Sequence, residues 1–142
     1  MRLTVKPVDI NYVAQTWPMV EPYLKSALAT AEGPESEWCY NIHHVQSFIT
    51  SGQWTLFVFL DEQKNIKGAL TVSFINYPMQ RIAFISLLGG HLVINKDTVA
   101  QIKNWCRIYG ATKIQAYATG PRVRLWRRCD LKPCATVMGL TL

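Results

Sequence analysis

The chain has 142 residues and a formal net charge of +6, which is enough length for one domain of ordinary size with its own core. Hydrophobic residues make up 49% of it and charged residues 17%, which excludes a disordered chain. Its apolar runs are shorter than the about 18 residues of a membrane span, and it begins without the apolar core of a signal peptide. We therefore predict a single domain over residues 1–142, located in the cytoplasm and without a membrane partner.

Charge is distributed unevenly along the chain. Up to Glu62, three basic residues stand against seven acidic ones, whereas from Gln63 onward twelve basic residues stand against two acidic ones. A one-sided charge of this kind can steer an acidic partner toward the C-terminal half.

The N-terminal half reads as a strand followed by helices. Residues 3–8 favour an opening strand, and residues 12–31 a helix. Pro18 and Pro22 predict a break in that helix, with 20–29 as its second piece, because each proline lacks an amide donor. Further elements follow in order: a loop at 32–37 and a second helix at 38–50, which ends at Ser51-Gly52.

The middle of the chain predicts a three-stranded meander. Residues 54–60 are the clearest strand, and a turn at 61–65 returns the chain as a hairpin partner over 66–75. A third, densely apolar strand at 82–88 ends at Gly89-Gly90, and its composition suits a strand covered on both faces.

The next segment predicts a βαβ unit. Asn95 or Asp97 can cap a helix, and Gly110 can end it. The apolar positions of this helix share one face through spacings of three and four, at Val99, Ile102, Trp105, Cys106 and Tyr109. A strand at 113–118 follows, so the order strand, helix, strand predicts a right-handed crossover.

The C-terminal segment predicts a short helix opened by Pro121 and a last strand at 134–142. The fold class is therefore α/β (α+β), with a mixed, mostly antiparallel sheet and helices on both faces. The cysteines, Cys39, Cys106, Cys129 and Cys134, form no CxxC pair, so we predict thiols and no metal site.

The order β-α-α-β-β-β-α-β-α-β resembles the GNAT superfamily of acyl-CoA-dependent N-acyltransferases. Two local segments carry the resemblance beyond topology, Trp105-Cys106-Arg107-Ile108-Tyr109-Gly110-Ala111 and Leu125-Trp126-Arg127-Arg128-Cys129-Asp130-Leu131-Lys132-Pro133. The Gly89-Gly90 ending also resembles small GNAT-like proteins of tailed phages. The resemblance implies acetyl-CoA as cofactor and a cleft where 82–88 splays from 113–118.

Departures from the family pattern weaken the expectation of catalysis. The family binds the cofactor diphosphate at a glycine-rich helix N-terminus, whereas the turn at 93–97 has no glycine and carries Asp97. Trp126 falls where the family has its acid tyrosine, and Ser86 falls near its base glutamate.

Several residues remain as candidates for a rearranged site. His91 is a candidate base, because imidazole titrates near neutrality, and Tyr117 is a candidate proton donor. If acetyl-CoA binds, the residues expected beside it are Leu87, Leu88, Gly89, Gly90 and Trp126. Two of these positions have structural alternatives, since Gly89-Gly90 can form a strand-end bulge and Trp126 can pack in the core. His43-His44 is interpreted as a solvated helix face.

A basic group follows the last strand of the crossover. Arg124, Arg127 and Arg128 lie three and four residues apart on one helix, and Arg122 and Lys132 flank them. This group is either a solvated face or a site for an anion or an acidic protein surface. Nucleic acid has no support beyond charge, because the chain lacks a recognition motif or a stacking platform.

Two hypotheses of function follow from the sequence. In the first, the chain is a GNAT-like binding or structural module without efficient catalysis, whose partners are other protein subunits, such as phage virion proteins, so that it would reside in a virion if phage-encoded. In the second, it is an acetyl-CoA-dependent N-acetyltransferase with a rearranged site that acts on an amine.

Overall fold

The computed structural model describes residues 2–30 and 39–142. Its helices and strands follow the predicted order as far as the last helix. They are β1 (Thr4–Pro7), a short 3-10 helix (Ile10–Tyr12), α1 (Val13–Thr30), α2 (Ile42–Thr50), β2 (Trp54–Leu60), β3 (Ile66–Asn76), β4 (Arg81–Gly90), α3 (Lys96–Ile108), β5 (Lys113–Ala116) and α4 (Pro121–Arg128).

The five strands form one sheet in the order β1-β2-β3-β4-β5. Neighbouring strands from β1 to β4 are antiparallel, and β5 runs parallel to β4 after the crossover through α3. This architecture confirms the predicted mixed, mostly antiparallel fold class.

Helices cover both faces of the sheet, so β2 is buried on both sides. Leu56 and Val58 pack with the core under α1 and α2, whereas Phe57 and Phe59 pack with the core under α3 and α4. Since successive side chains of a strand point to opposite faces, a strand between two helical layers is apolar throughout. The mostly apolar run that predicted β2, which includes the half-buried Thr55, has this cause.

The outer edge of β1 is closed by side chains of α3. The side-chain oxygen of Gln101 accepts from the amide of Val5 at 2.8 Å, and its amide nitrogen donates to the carbonyl of Leu3 at 2.9 Å. The indole of Trp105 donates to the carbonyl of Val5 at 2.9 Å. These bonds occupy the main-chain groups that a further strand would need.

The predicted break in the first helix is wrong, because α1 runs without interruption through Pro18 and Pro22. Both prolines are exposed, so the carbonyls that lose their helical partners face water. The opposite side of α1 carries a buried apolar stripe that holds the helix on the sheet, at Val13, Trp17, Val20, Leu24, Ala27 and Leu28.

Two predicted boundaries also need correction, and a third segment is not described. The second helix begins only at Ile42, after the N-cap Asn41, whose amide donates to Nδ1 of His44. The predicted loop at 32–37 and Trp38 lie outside the described residues. β5 ends at Ala116 rather than at 118.

The predicted last strand at 134–142 is wrong, since this segment forms no ladder with any described strand. Its apolar residues are exposed, among them Val137, Met138 and Leu140. The segment leaves the body after Asp130, which has a positive φ of 71°, and Pro133 then restricts Lys132 to extended conformations.

Candidate functional site: the β4–β5 cleft and the edge groove

The parallel pair β4–β5, at one edge of the sheet, opens partway along its length. Ile82 to Ile85 of β4 pair with Lys113 to Ala116 of β5. Beyond Ile85, β4 continues to Gly90 beside β3 alone, while the chain after Ala116 turns toward α4. We call the resulting opening the β4–β5 cleft; its β4 side is the segment from Ser86 to Gly90.

A β-bulge marks the start of this segment. The register between β3 and β4 shifts at Thr71/Val72, opposite Ser86, and the amide of Leu87 donates to the Thr71 hydroxyl at 3.0 Å. The Ser86 hydroxyl is buried, and no hydrogen-bond partner reaches it from the described chain. An unpaired buried hydroxyl is costly, and the described residues supply no hydrogen-bond partner that offsets this cost.

Gly89 and Gly90 do not form the bulge, which corrects the interpretation that sequence favoured. They pair with Ala69 and Gly68 in the ladder to β3. A Cβ at Gly89 would overlap the carbonyl of Tyr23 in α1, so glycine lets this helix approach the strand. Gly90 has a φ of 128°, which side chains rarely adopt.

The other predicted site residues scatter around the cleft. Leu87 is buried in the core under α1 and α2, whereas Leu88 is half-buried on the opposite face. His91 is exposed just past β4. Tyr117 lies after β5 and contacts Phe84 edge-on, with 4.8 Å between ring centroids. The structure records no hydrogen bond that links His91 to Tyr117 within the described residues.

The N-terminus of α3 is closed by its own side chains. Asn95 is the N-cap, as one of the two predicted alternatives, and forms a reciprocal capping box with Thr98. Asp97 places a carboxylate in the first turn, where it accepts from Gln101 at 3.2 Å. Val93 and Ile94 of the preceding turn are buried. At this helix end the side chain of Asn95 therefore occupies the Thr98 amide, and Asp97 adds a negative charge to the first turn.

Trp126 belongs to the core, as favoured from sequence. It is 6% exposed and packs in the same core as Cys106 and Cys129. Burial raises the pKa of the Cys106 thiol from 9.0 to about 11, and burial followed by the charge of Asp130 also raises the pKa of the Cys129 thiol. Neither thiol is therefore a nucleophile near neutral pH.

A second feature, which sequence reasoning missed, lies along the outer edge of β5. A groove of about 1390 Å³ runs between β5, α3, α4 and the segment after α4. We call it the edge groove. Its lining carries the basic side chains Lys103, Arg107, Lys113, Arg127 and Lys132.

The predicted basic group contributes two of these residues, Arg127 and Lys132. Arg122, Arg124 and Arg128 do not line the groove. Two cations come instead from α3, where the spacing of four between Lys103 and Arg107 places them on one face. The spacing of these two residues could be read from the sequence, but the sequence did not indicate that they lie beside β5.

The side-chain clusters and helices of residues 2–30 and 39–142 bear on metal binding and on membrane spanning. Within these ranges no three His, Cys, Asp or Glu residues gather in a way that could bind a metal ion. No helix in the same ranges has the length and hydropathy of a bilayer-spanning segment. The four thiols are unpaired.

Comparison with known proteins identifies the fold. No family profile matches the sequence, and no curated protein sequence matches it. Solved structures do match over nearly the whole chain. An aminoglycoside acetyltransferase from an uncultured soil metagenomic sample, in complex with sisomicin, has a TM-score of 0.69 at 16% identity and covers 99% of this chain and 96% of its own.

Two further acetyltransferase structures agree. Glucosamine-6-phosphate N-acetyltransferase from Arabidopsis thaliana has a TM-score of 0.63 at 12% identity, with 99% of each chain covered. An acetyltransferase of Trypanosoma brucei has a TM-score of 0.62 at 11% identity and covers 99% of this chain and 100% of its own. At these identities the likeness concerns the fold alone.

Proposed function

Because the chain adopts the GNAT fold, we propose that it is a protein-binding module built on that fold, without efficient acyl transfer. The observation that carries the proposal is the closed N-terminus of α3. The partners of the proposed module are other protein subunits. The resemblance to GNAT-like proteins of tailed phages makes virion subunits one class of partner, with the virion as location; otherwise the location is the cytoplasm.

The closed helix end does not suit a diphosphate. An anion binds a helix N-terminus through unpaired amides at the positive end of the dipole. Here the amide of Thr98 already donates to the Asn95 side chain at 2.9 Å, and the Thr98 hydroxyl accepts from the amide of Asn95 at 3.0 Å. A diphosphate would have to displace Asn95 and lie beside the carboxylate of Asp97.

The groups that would carry proton transfer are also missing from the positions expected by resemblance. Trp126 is a core residue without an acidic proton near neutral pH, and Ser86 has no carboxylate. General acid–base catalysis contributes about 10² to 10⁴ in rate, so the loss of both the acid and the base leaves little turnover.

Isothermal titration calorimetry tests this proposal directly. Acetyl-CoA and free CoA are titrated into the protein, with an active GNAT acetyltransferase in the same buffer as positive control. We expect no heat of binding in the micromolar range. Micromolar affinity, or a crystal with the CoA phosphates seated on the first amides of α3, would overturn the proposal.

A second candidate is an acetyl-CoA-dependent N-acetyltransferase that acts on an amine. The edge of β4 beyond Ile85 favours it, because the main-chain groups there have no partner in β5 and can bind a ligand in the cleft. The test is release of thiol from acetyl-CoA with a panel of amines that includes peptide N-termini and polyamines. Absence of turnover over the whole panel would leave the module as the remaining candidate.

A further inference from the structure

The two edges of the sheet differ in how they end. At β1, the amide of Val5 and the carbonyls of Leu3 and Val5 are bonded to Gln101 and Trp105. At β5, the ladder to β4 is the only one that the described chain forms, so its outer edge carries main-chain groups without a strand partner. An unpaired edge accepts an added strand.

The edge groove lies against this free edge. It combines an apolar wall, including Ile114, Ala116 and Trp126, with an opening to solvent. Its volume of about 1390 Å³ exceeds the roughly 300–1,000 Å³ of ordinary small-molecule pockets. A groove of this size along a strand edge suits a length of polypeptide better than a compact ligand.

The charge of the groove is one-sided. Five basic side chains line it, against the single carboxylate of Asp130. The segment after α4 forms the opposite wall, and its apolar residues Val137, Met138 and Leu140 are exposed. Exposed apolar side chains beside a cationic groove mark an interaction surface for an apolar segment that carries acidic side chains.

We propose that the edge groove binds an extended, acidic segment of a partner protein, which adds as a strand to the free edge of β5. This inference rests on the proposed function, since it identifies where the binding module holds its partner. Main-chain hydrogen bonds to β5 fix the register of the partner segment. Its apolar side chains cover Ile114 and Trp126, and its carboxylates pair with basic side chains such as Lys113 and Arg127.

Charge favours such a partner over the chain's own segment. The segment after Asp130 carries Lys132 and no acidic residue, so it brings no acidic side chain to the groove in the same copy or in a second one. Nucleic acid would use the cations but neither the main-chain edge nor the apolar wall.

Fluorescence anisotropy on the full chain tests the proposal. The probe is a fluorescein-labelled peptide of about nine residues that alternates valine and glutamate, and its control alternates valine and glutamine. We expect the glutamate peptide to bind at least about tenfold more tightly, with affinity that falls between about 0.05 M and 0.5 M salt.

Matched variants locate the site. Lys113→Glu with Arg127→Glu should weaken binding at least about tenfold, whereas Arg124→Glu with Arg128→Glu makes the same change of charge outside the groove and should change it less than about threefold. Circular dichroism and urea unfolding establish that both variants fold. Equal losses in the two variants would overturn the proposal.

Strand addition is tested separately from charge. Amides of alternate residues in a strand point to opposite edges, so a peptide N-methylated on all valines and one N-methylated on all glutamates each block one edge. We expect one of the two to lose binding and the other to keep it. Retention of full affinity by both would contradict addition to β5.

Other occupants give distinct results that overturn the proposal. Binding only after removal of residues 134–142 would mean that the chain's own segment occupies the groove, and a dimer in light scattering that dissociates on this truncation would mean that a second copy does. Displacement of the peptide by a thymidine oligonucleotide of equal length, with tighter binding, would favour nucleic acid. None of these results depends on CoA binding, which tests the proposed function separately.

Discussion

Asn95 and Thr98 hydrogen-bond to each other's main chain, through a side-chain oxygen at 2.9 Å in one direction and a hydroxyl at 3.0 Å in the other. The same hydroxyl donates to the carbonyl of Val93 at 2.7 Å. The amides of Asn95 and Thr98 and the carbonyl of Val93 are thereby hydrogen-bonded within the protein. A ligand could reach these three groups only by displacing the bonds between them.

The first prediction concerns this turn. Thr98→Val keeps the shape of a side chain that is 0% exposed, but leaves the amide of Asn95 and the carbonyl of Val93 without a partner. We expect a loss of about 1–3 kcal/mol in the free energy of unfolding, measured by urea titration. Thr136→Val, at an exposed position, is the control and should change it by less than about 0.5 kcal/mol.

The second prediction concerns the contact of α1 with β4. Gly89→Ala places a methyl group against the main chain of Tyr23, which cannot yield as a flexible side chain would. We expect a loss of about 3 kcal/mol or more, read from the urea midpoint. Gly139→Ala meets no atom within 4 Å and should be neutral. Wild-type stability of Gly89→Ala would contradict the packing of α1 described above.

The third prediction concerns the closed edge of β1. Gln101→Leu retains volume but removes the partners of the Val5 amide and the Leu3 carbonyl. We expect a loss of about 1–3 kcal/mol and faster hydrogen exchange at the Val5 amide by NMR. Gln63→Leu, on the exposed hairpin turn, should leave both measurements unchanged. Unaltered exchange at Val5 in Gln101→Leu would show that water or another group protects this edge.

The fourth prediction concerns pH. Because burial raises the pKa of Cys106 to about 11, the folded state holds its proton at pH values where the unfolded thiol, with a pKa near 9.0, has lost it. The stability from this thiol is thus complete below about pH 9 and is lost as pH rises toward 11. Urea unfolding between these values should show a steeper loss for wild type than for Cys106→Ala; equal slopes would contradict the burial effect.

Sequence patterns correctly predicted a strand that is buried on both faces. β2 was placed at its observed bounds, Trp54–Leu60, because a strand between two helical layers is mostly apolar on both faces. The continuity of α1 was missed, since local proline rules do not include the tertiary packing that holds Trp17 and Leu24 against the sheet.

The errors at the C-terminal end have a different cause. The apolar and β-branched residues of 134–142 carry strand propensity, but a strand also needs an edge to pair with, and propensity does not report where edges lie. The edge groove was missed for a related reason: Lys103, Lys113 and Arg127 lie on three elements, and only the tertiary packing of α3, β5 and α4 brings them together. The closed turn at Asn95 was anticipated, because a cap and a carboxylate are readable locally.

The bonds from Gln101 and Trp105 to β1 also limit self-association. Head-to-tail polymerisation through a sheet requires two free sheet edges, because each copy must pair with one neighbour at each edge. In this molecule the edge at β1 is covered by side chains of α3, so an open-ended series of copies cannot form through the sheet. A sheet with one free edge can pair with one added strand, and the assembly then ends.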